Sequence, residues 1–361
     1  MLETIREYAH ERLAECGDLE AQRDRHAQAY LEVAERANNE LWSTGRAQWL
    51  TRLEADDGNL LAALSRFLGC GEIESAARLA GALWLFWTLT GFITEGRRVL
   101  LDVLRHESEL APAVLAPVLH GAGHLSWNEG RYDEAQALVE RASAIFRELG
   151  DRERLAWAIM SLGAIAWLQG DAKVAEATYA EALELFRSVG ANRGVAYGLN
   201  DLGLIALEQR DLVHAKALLD ESERLCRSVG DAFGHANAVA GLADVTLEIG
   251  DVPQAESLYR TALAGFREIA SRSGCAECLE GLAAAAADRG DAARAVRLAG
   301  AAATMREASG AQPNPDFASR YAQRRDRAKA ELGHEQSRVE WDRGRSTGAE
   351  EAIAYALEAD V

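Results

Sequence analysis

Two histidines, His120 and His124 in HGAGH, stand one helical turn apart, a spacing at which two imidazoles on one helix face can share a metal ion. A zinc site needs three or four protein ligands, and no glutamate or third ligand stands at a matching spacing nearby, so both read as helix-face histidines. Cys275 and Cys278 in CAEC have the spacing of a redox pair or half a zinc site, but no second CxxC accompanies them. Gly121 to Gly130, GAGHLSWNEG, is rich in glycine, yet no strand precedes it, and a phosphate cradle of that kind needs a strand, a turn and a helix. Carboxylates are plentiful but fall on helix faces, as in EALELFRSV, and none is marked as an acid–base dyad. The expectation is a chain that is not an enzyme and that carries no cofactor and no metal.

The elements that must carry these residues repeat. GRYDEA at Gly130, GDAKVA at Gly170, RDLVHA at Arg210, GDVPQA at Gly250 and GDAARA at Gly290 recur at an unvarying 40-residue step. A second punctuation falls midway, at Gly150, Gly190, Gly230 and Ala270. Within each segment the apolar spacing is helical: Ala175, Tyr179, Ala182, Leu183 and Phe186 form one stripe. Glycine can close one helix in the left-handed conformation, and the aspartate after it can accept from the free N–H groups of the next. Each unit is therefore helix, tight turn, helix, and Arg210, in a glycine's place, is expected to be strained there. One such pair cannot bury its apolar face alone, so the pairs must stack.

Bulk properties narrow the setting. A chain of 361 residues is 48% hydrophobic, and its longest apolar run, LAGALWLFWTL, is too short for a membrane span. The N-terminus has no apolar signal core, and five cysteines are too few and too odd in number for a disulfide framework, so the cytoplasm is expected. A net charge of −18 repels phosphate backbones and argues against direct nucleic-acid binding. Arginine far outnumbers lysine, a composition of high-GC bacterial genomes.

The unit resembles the tetratricopeptide repeat. The Leu-Gly pair of that family's first helix stands at Leu162-Gly163 and Leu202-Gly203, relaxed to Ala122-Gly123, Leu242-Ala243 and Leu282-Ala283. Its small residues stand at Ala135, Ala175, Ala215, Ala255 and Ala295, and again at Ala142, Ala182, Ser222, Ala262 and Ala302. The 40-residue step exceeds the usual one, and the proline that ends the second helix is missing. The resemblance implies an all-α, right-handed superhelix of stacked antiparallel helix pairs with a ligand groove on its inner face. Carried over position by position, the groove files are Trp157, Tyr197 and Asn237; His120, Met160 and Asn200; and His124, Leu204 and Asp244. Trp127 and Trp167 form a fourth such file, for which plain core packing is the alternative. Aromatic rings and carboxamides on a concave wall suit an extended peptide, a protein segment or a small inducer.

The flanks resemble a narrower family. LETIREYAHERLAECGD (Leu2 to Asp18), AQWLTRLEADDGNLLAALSRFL (Ala47 to Leu68), AARLAGALWLFWTLTGFITEGRRVLLDVL (Ala76 to Leu104) and EWDRGRSTGAEEAIAYALE (Glu340 to Glu358) are similar to segments of bacterial STAND-type (NB-ARC ATPase) transcriptional regulators, among them LuxR-type activators and Streptomyces antibiotic regulatory proteins. No GxxxxGK[ST] loop and no basic helix-turn-helix occur, and both ends fall near the family's domain junctions. The resemblance implies an effector-sensing arm that controls an ATPase and DNA-binding part outside this chain; a free-standing scaffold or peptide receptor is the alternative. The expected organisation is N-terminal helices over 1–40, helical pairs over 41–110, five repeats over 111–310 and capping helices over 311–361. Gly58 is an oddity inside a helix, and the prolines of SGAQPNPDF break the array. After that break Arg320, Arg324, Arg325 and Arg327 read as a solvated face, or as a contact for an acidic partner.

Overall fold

A computed structural model describes residues 18–42, 45–309 and 315–358, with side chains for all of these except 309 and 315–320. Most of the Leu2–Asp18 stretch, the proline break and the Arg320 side chain lie outside that set. Among the described residues every regular element is a helix. Three helices, α1 (Leu19–Glu40), α2 (Arg46–Ala55) and α3 (Asp57–Gly69), lead into a hairpin of α4 (Ile73–Thr90) and α5 (Ile93–Leu104).

Five hairpins follow, at the step the sequence sets. They are α6 (Pro112–Asn128) with α7 (Tyr132–Leu149), α8 (Arg152–Leu168) with α9 (Ala172–Val189), and α10 (Asn192–Glu208) with α11 (Leu212–Val229). The last two are α12 (Ala232–Ile249) with α13 (Val252–Glu268) and α14 (Arg272–Arg289) with α15 (Ala292–Ser309). Three helices close the chain: α16 (Pro315–Leu332), α17 (His334–Ser346) and α18 (Ala349–Leu357). The fold is an all-α tetratricopeptide-like superhelix.

The turn chemistry is as the residues require. Gly130, Gly170, Gly250 and Gly290 have positive φ, and so does Arg210, at 65°, with Ala270 at 56° in the other register. Asp151, Asp171, Asp211, Asp231 and Asp251 each accept a bond from a backbone N–H three residues on, at 2.9 to 3.2 Å. All ten small-residue positions of the repeat are buried. They let the helices approach closely enough that a Cβ placed on Gly163 would meet the Tyr179 ring at 2.8 Å. Two long helical stretches each divide into two helices. The first ends at Ala55 and restarts at Asp57, which puts Gly58 in a first turn, where a missing side chain costs little; Asp56 accepts there from Tyr30 and Asn59. The second is broken by Gly91, at φ 83°.

Successive first helices, α6 to α8, α8 to α10, α10 to α12 and α12 to α14, touch one another, and successive second helices reach no comparable contact. The stack therefore bends with its first helices on the inside. Helices α16 and α17 pack against α14 and α15 or α15 alone, so the open end of the array is covered. No helix among the described residues is long and apolar enough to cross a membrane.

Candidate ligand groove

The inner wall is built from the same positions of successive first helices, so residues 40 apart in sequence become neighbours. Trp157, near the start of α8, and Tyr197, near the start of α10, meet edge to face with ring centroids 5.5 Å apart, and Phe186 backs Trp157 at 4.9 Å. Asn237 is half-buried one repeat further on. Met160 is buried, and Asn200 donates from Nδ2 to its neighbour Asp201 at 3.2 Å. The Tyr197 hydroxyl and Asn200 Oδ1 are buried and have no hydrogen-bond partner among the described residues. Buried polar atoms are almost always paired, so these two on one wall are hydrogen-bonding capacity that the described side chains leave unused. Burial raises the Tyr197 phenol well above its usual range.

At the N-terminal end the two histidines are packed among indole rings. Trp84 of α4 packs against His124 at 4.7 Å and His120 at 5.8 Å, and Trp127 flanks His124 at 4.4 Å. The Ser161 hydroxyl donates to the Trp157 carbonyl at 3.2 Å and so accepts from His120 Nε2 at 3.0 Å. Burial brings His120 down to about 4 and His124 to about 3, the latter helped by His120 beside it, so both rings are neutral near pH 7. Among the described residues no group of three or more metal-ligating side chains converges. The CAEC cysteines are buried between helices, and burial pushes the Cys275 thiol up to about 12.

At the C-terminal end the wall turns acidic. Asp244 accepts from the Tyr259 hydroxyl at 2.6 Å and from Tyr321 of α16 at 2.5 Å. Arg324 of the same helix bonds Glu248 at 2.9 Å and Asp288 at 2.8 Å. The arginine-rich face is thus partly a clamp inside the chain, where a solvated face is expected. Glu277 is the next member of the Trp157–Tyr197–Asn237 file, a position sequence reasoning passed over although the 40-residue step leads to it. Solvent reaches Glu277, yet loss of bulk hydration inside the wall pushes its carboxyl up to about 7; Arg306 opposes this, while Glu280 and Asp244 add to it. Asp201 is raised to about 7 by burial as well.

The residues no periodicity points to come from the N-terminal helices. Trp42, just past α1, lies 6.0 Å from the Trp157 ring and 6.2 Å from Tyr197. Arg46, the first residue of α2, is 5% exposed, with its guanidinium carbon 4.5 Å from the centre of the Phe233 ring.

Comparison with known proteins fits this architecture. A tetratricopeptide-repeat family model matches residues 114–188. No curated protein matches the chain in sequence. Among solved structures, a Rap protein complexed with competence and sporulation factor superposes with a TM-score of 0.58 at 12% identity, over 93% of this chain and 97% of its own. NprR in complex with its cognate peptide NprX gives a TM-score of 0.54 at 13% identity, covering 86% of this chain and 87% of that one. The Rap conjugation gene regulator of plasmid pLS20, in complex with the Phr* peptide, gives 0.53 at 13%, over 74% and 79%. At such identities the likeness is one of fold.

Proposed function

We propose that this chain is the effector-sensing arm of a regulator and that it holds a peptide along its inner wall, between Trp157 and Asn237. The observation that carries the reading is the pair of buried polar atoms without a hydrogen bond, Tyr197 Oη and Asn200 Oδ1, beside the half-buried rings of Trp157 and Tyr197. A carboxamide oxygen accepts from a peptide N–H, and the rings supply area at little entropic cost. That three similar folds, the two Rap proteins and NprR, are regulators or proteins solved with a peptide or factor supports a peptide over a small inducer.

The finer assignment is to a STAND-type transcriptional regulator, with the arm holding or releasing an ATPase. It rests on the resemblance of residues 2–18, 47–68, 76–104 and 340–358 to that family. The test of the groove is fluorescence anisotropy with a random library of labelled peptides. The strongest binder is expected to lose at least tenfold affinity against Trp157→Ala and Asn200→Ala, while unchanged affinity for both variants would refute the groove.

A further inference from the structure

Trp42 and Arg46 stand where the proposed ligand would stand. One caps the Trp157–Tyr197 ring pair, and the other buries a cation over Phe233 at the next repeat. We infer that these two side chains are an internal pseudo-ligand, and that the groove's partner is a peptide pairing an aromatic residue with an arginine or lysine a few positions on. This rests on the reading of the inner wall as a peptide groove and says which peptide it takes.

The chemistry of the wall fits such a partner. Trp157, Tyr197 and Phe233 fall at corresponding regions of three successive first helices, so a chain crossing them meets ring, ring, ring. A cation is drawn to a ring face, and the charge of Asp231 acts on Arg46 from the cap of α12. The overall charge of −18 adds long-range attraction for a basic peptide.

The intramolecular fit is also incomplete, as that of an exchangeable occupant should be. Arg46 Nε has no hydrogen-bond partner among the described residues, and Asp231, whose charge acts on it, gives Oδ1 to the Gly234 N–H at 2.9 Å while its Oδ2 faces Arg193 Nε at 3.3 Å without a formed hydrogen bond. Arg46 acts on the Tyr197 hydroxyl through its charge, but neither it nor Trp42 hydrogen-bonds that hydroxyl or Asn200 Oδ1, which stay without a hydrogen bond with the pseudo-ligand in place. An incoming peptide that satisfies these atoms and also supplies the ring and the cation holds the wall better than the chain's own residues do. Its entry would displace Trp42 and Arg46 and with them the start of α2, which links groove occupancy to the N-terminal helices.

The test uses the full chain and a labelled synthetic peptide copying residues 39–48, NELWSTGRAQ. Wild type and the double variant Trp42→Ala/Arg46→Ala are titrated by fluorescence anisotropy. The double variant is expected to bind at least about tenfold more tightly, because a site occupied internally nine parts in ten loses that factor in apparent affinity. A peptide with its tryptophan and arginine replaced by alanine is expected to bind neither protein. Equal affinity for the two proteins, no binding to either, or binding indifferent to the peptide's tryptophan and arginine would each overturn the pseudo-ligand. Library peptides that depend on Asn200 but not on Trp42 would leave the groove standing and sink only this inference. Arg46→Gln, which keeps much of the side chain, carries the same comparison if the double variant melts early.

Discussion

The inner wall is covered in two different ways. At the C-terminal end α16 lays Tyr321 on Asp244 and Arg324 between Glu248 and Asp288, so every partner named there is an oppositely charged or hydrogen-bonding group at 2.5 to 2.9 Å. Nearer the middle of the wall Trp42 and Arg46 cover aromatic rings of α8, α10 and α12, and there the Arg46 Nε, the Tyr197 hydroxyl and Asn200 Oδ1 have no hydrogen-bond partner among the described residues. The first is a fully satisfied seam of the kind that holds a cap in place. The second buries a cation without a bonded carboxylate, an arrangement that costs several kcal/mol unless compensated, and so one that a better-matched group can replace.

If that contrast is right, the largest effect belongs to the seam. Asp244→Ala strands the buried Tyr259 hydroxyl and releases Tyr321, and is expected to cost about 3 kcal/mol in urea denaturation, since bonds to a charged acceptor are strong and an orphaned buried hydroxyl adds its own penalty. Trp42→Ala is expected to cost less than half as much; an equal loss would erase the distinction between cap and occupant.

The next effect is acid sensitivity at the N-terminal end. His120 and His124 titrate at about 4 and about 3 when folded against 6.5 ordinarily, so the unfolded chain binds protons first. Their contribution is full above 6.5 and is lost as pH falls from there toward about 3. Asp201 and Glu277, raised to about 7, act oppositely: their protonation favours the folded chain as pH falls through the same range. Replacing both histidines by glutamine is therefore expected to reduce the drop in melting temperature between pH 7 and pH 5, and an undiminished drop would count against neutral buried rings.

Smaller still, Arg46→Met is expected to leave stability within about 0.5 kcal/mol of wild type or to raise it, because an apolar side chain of similar length needs no partner. A loss of several kcal/mol would show the cation to be well paired. Least of all is Arg210→Gly. Relief of the left-handed backbone at φ 65° is worth about 1 kcal/mol, offset in part by loss of the pair that Arg210, 65% exposed, makes with Glu248. Arg324 still holds that carboxylate, so a slightly higher melting temperature is expected.

The array was legible because its signals are local. Gly170 and Asp171 carry a turn and a cap within two residues, and Ala175 and Ala182 mark close helix approach within one helix. The groove files were legible at one remove, since a 40-residue step makes Trp157 and Tyr197 neighbours as soon as the hairpins stack. The same step leads to Glu277, which an eye following aromatics and amides passed over. What no spacing encodes is contact between parts outside the repeat. Trp84 against His124, Tyr321 on Asp244, and Trp42 with Arg46 on the wall each join residues that share no periodicity, and Asp56, at the break between α2 and α3, is bonded by Tyr30, a whole helix away. Arg324 looked like a solvated charge because its carboxylate partners, Glu248 and Asp288, are distant in sequence.

The most direct measurement is photo-crosslinking on the intact chain, with a benzoylphenylalanine-bearing copy of the best library peptide and peptide mapping by mass spectrometry. Crosslinks are expected on α8, α10 and α12 around Trp157, Tyr197, Asn200 and Asn237. Crosslinks confined to the outer helices α9, α11 and α13 would contradict a binding site on the inner wall.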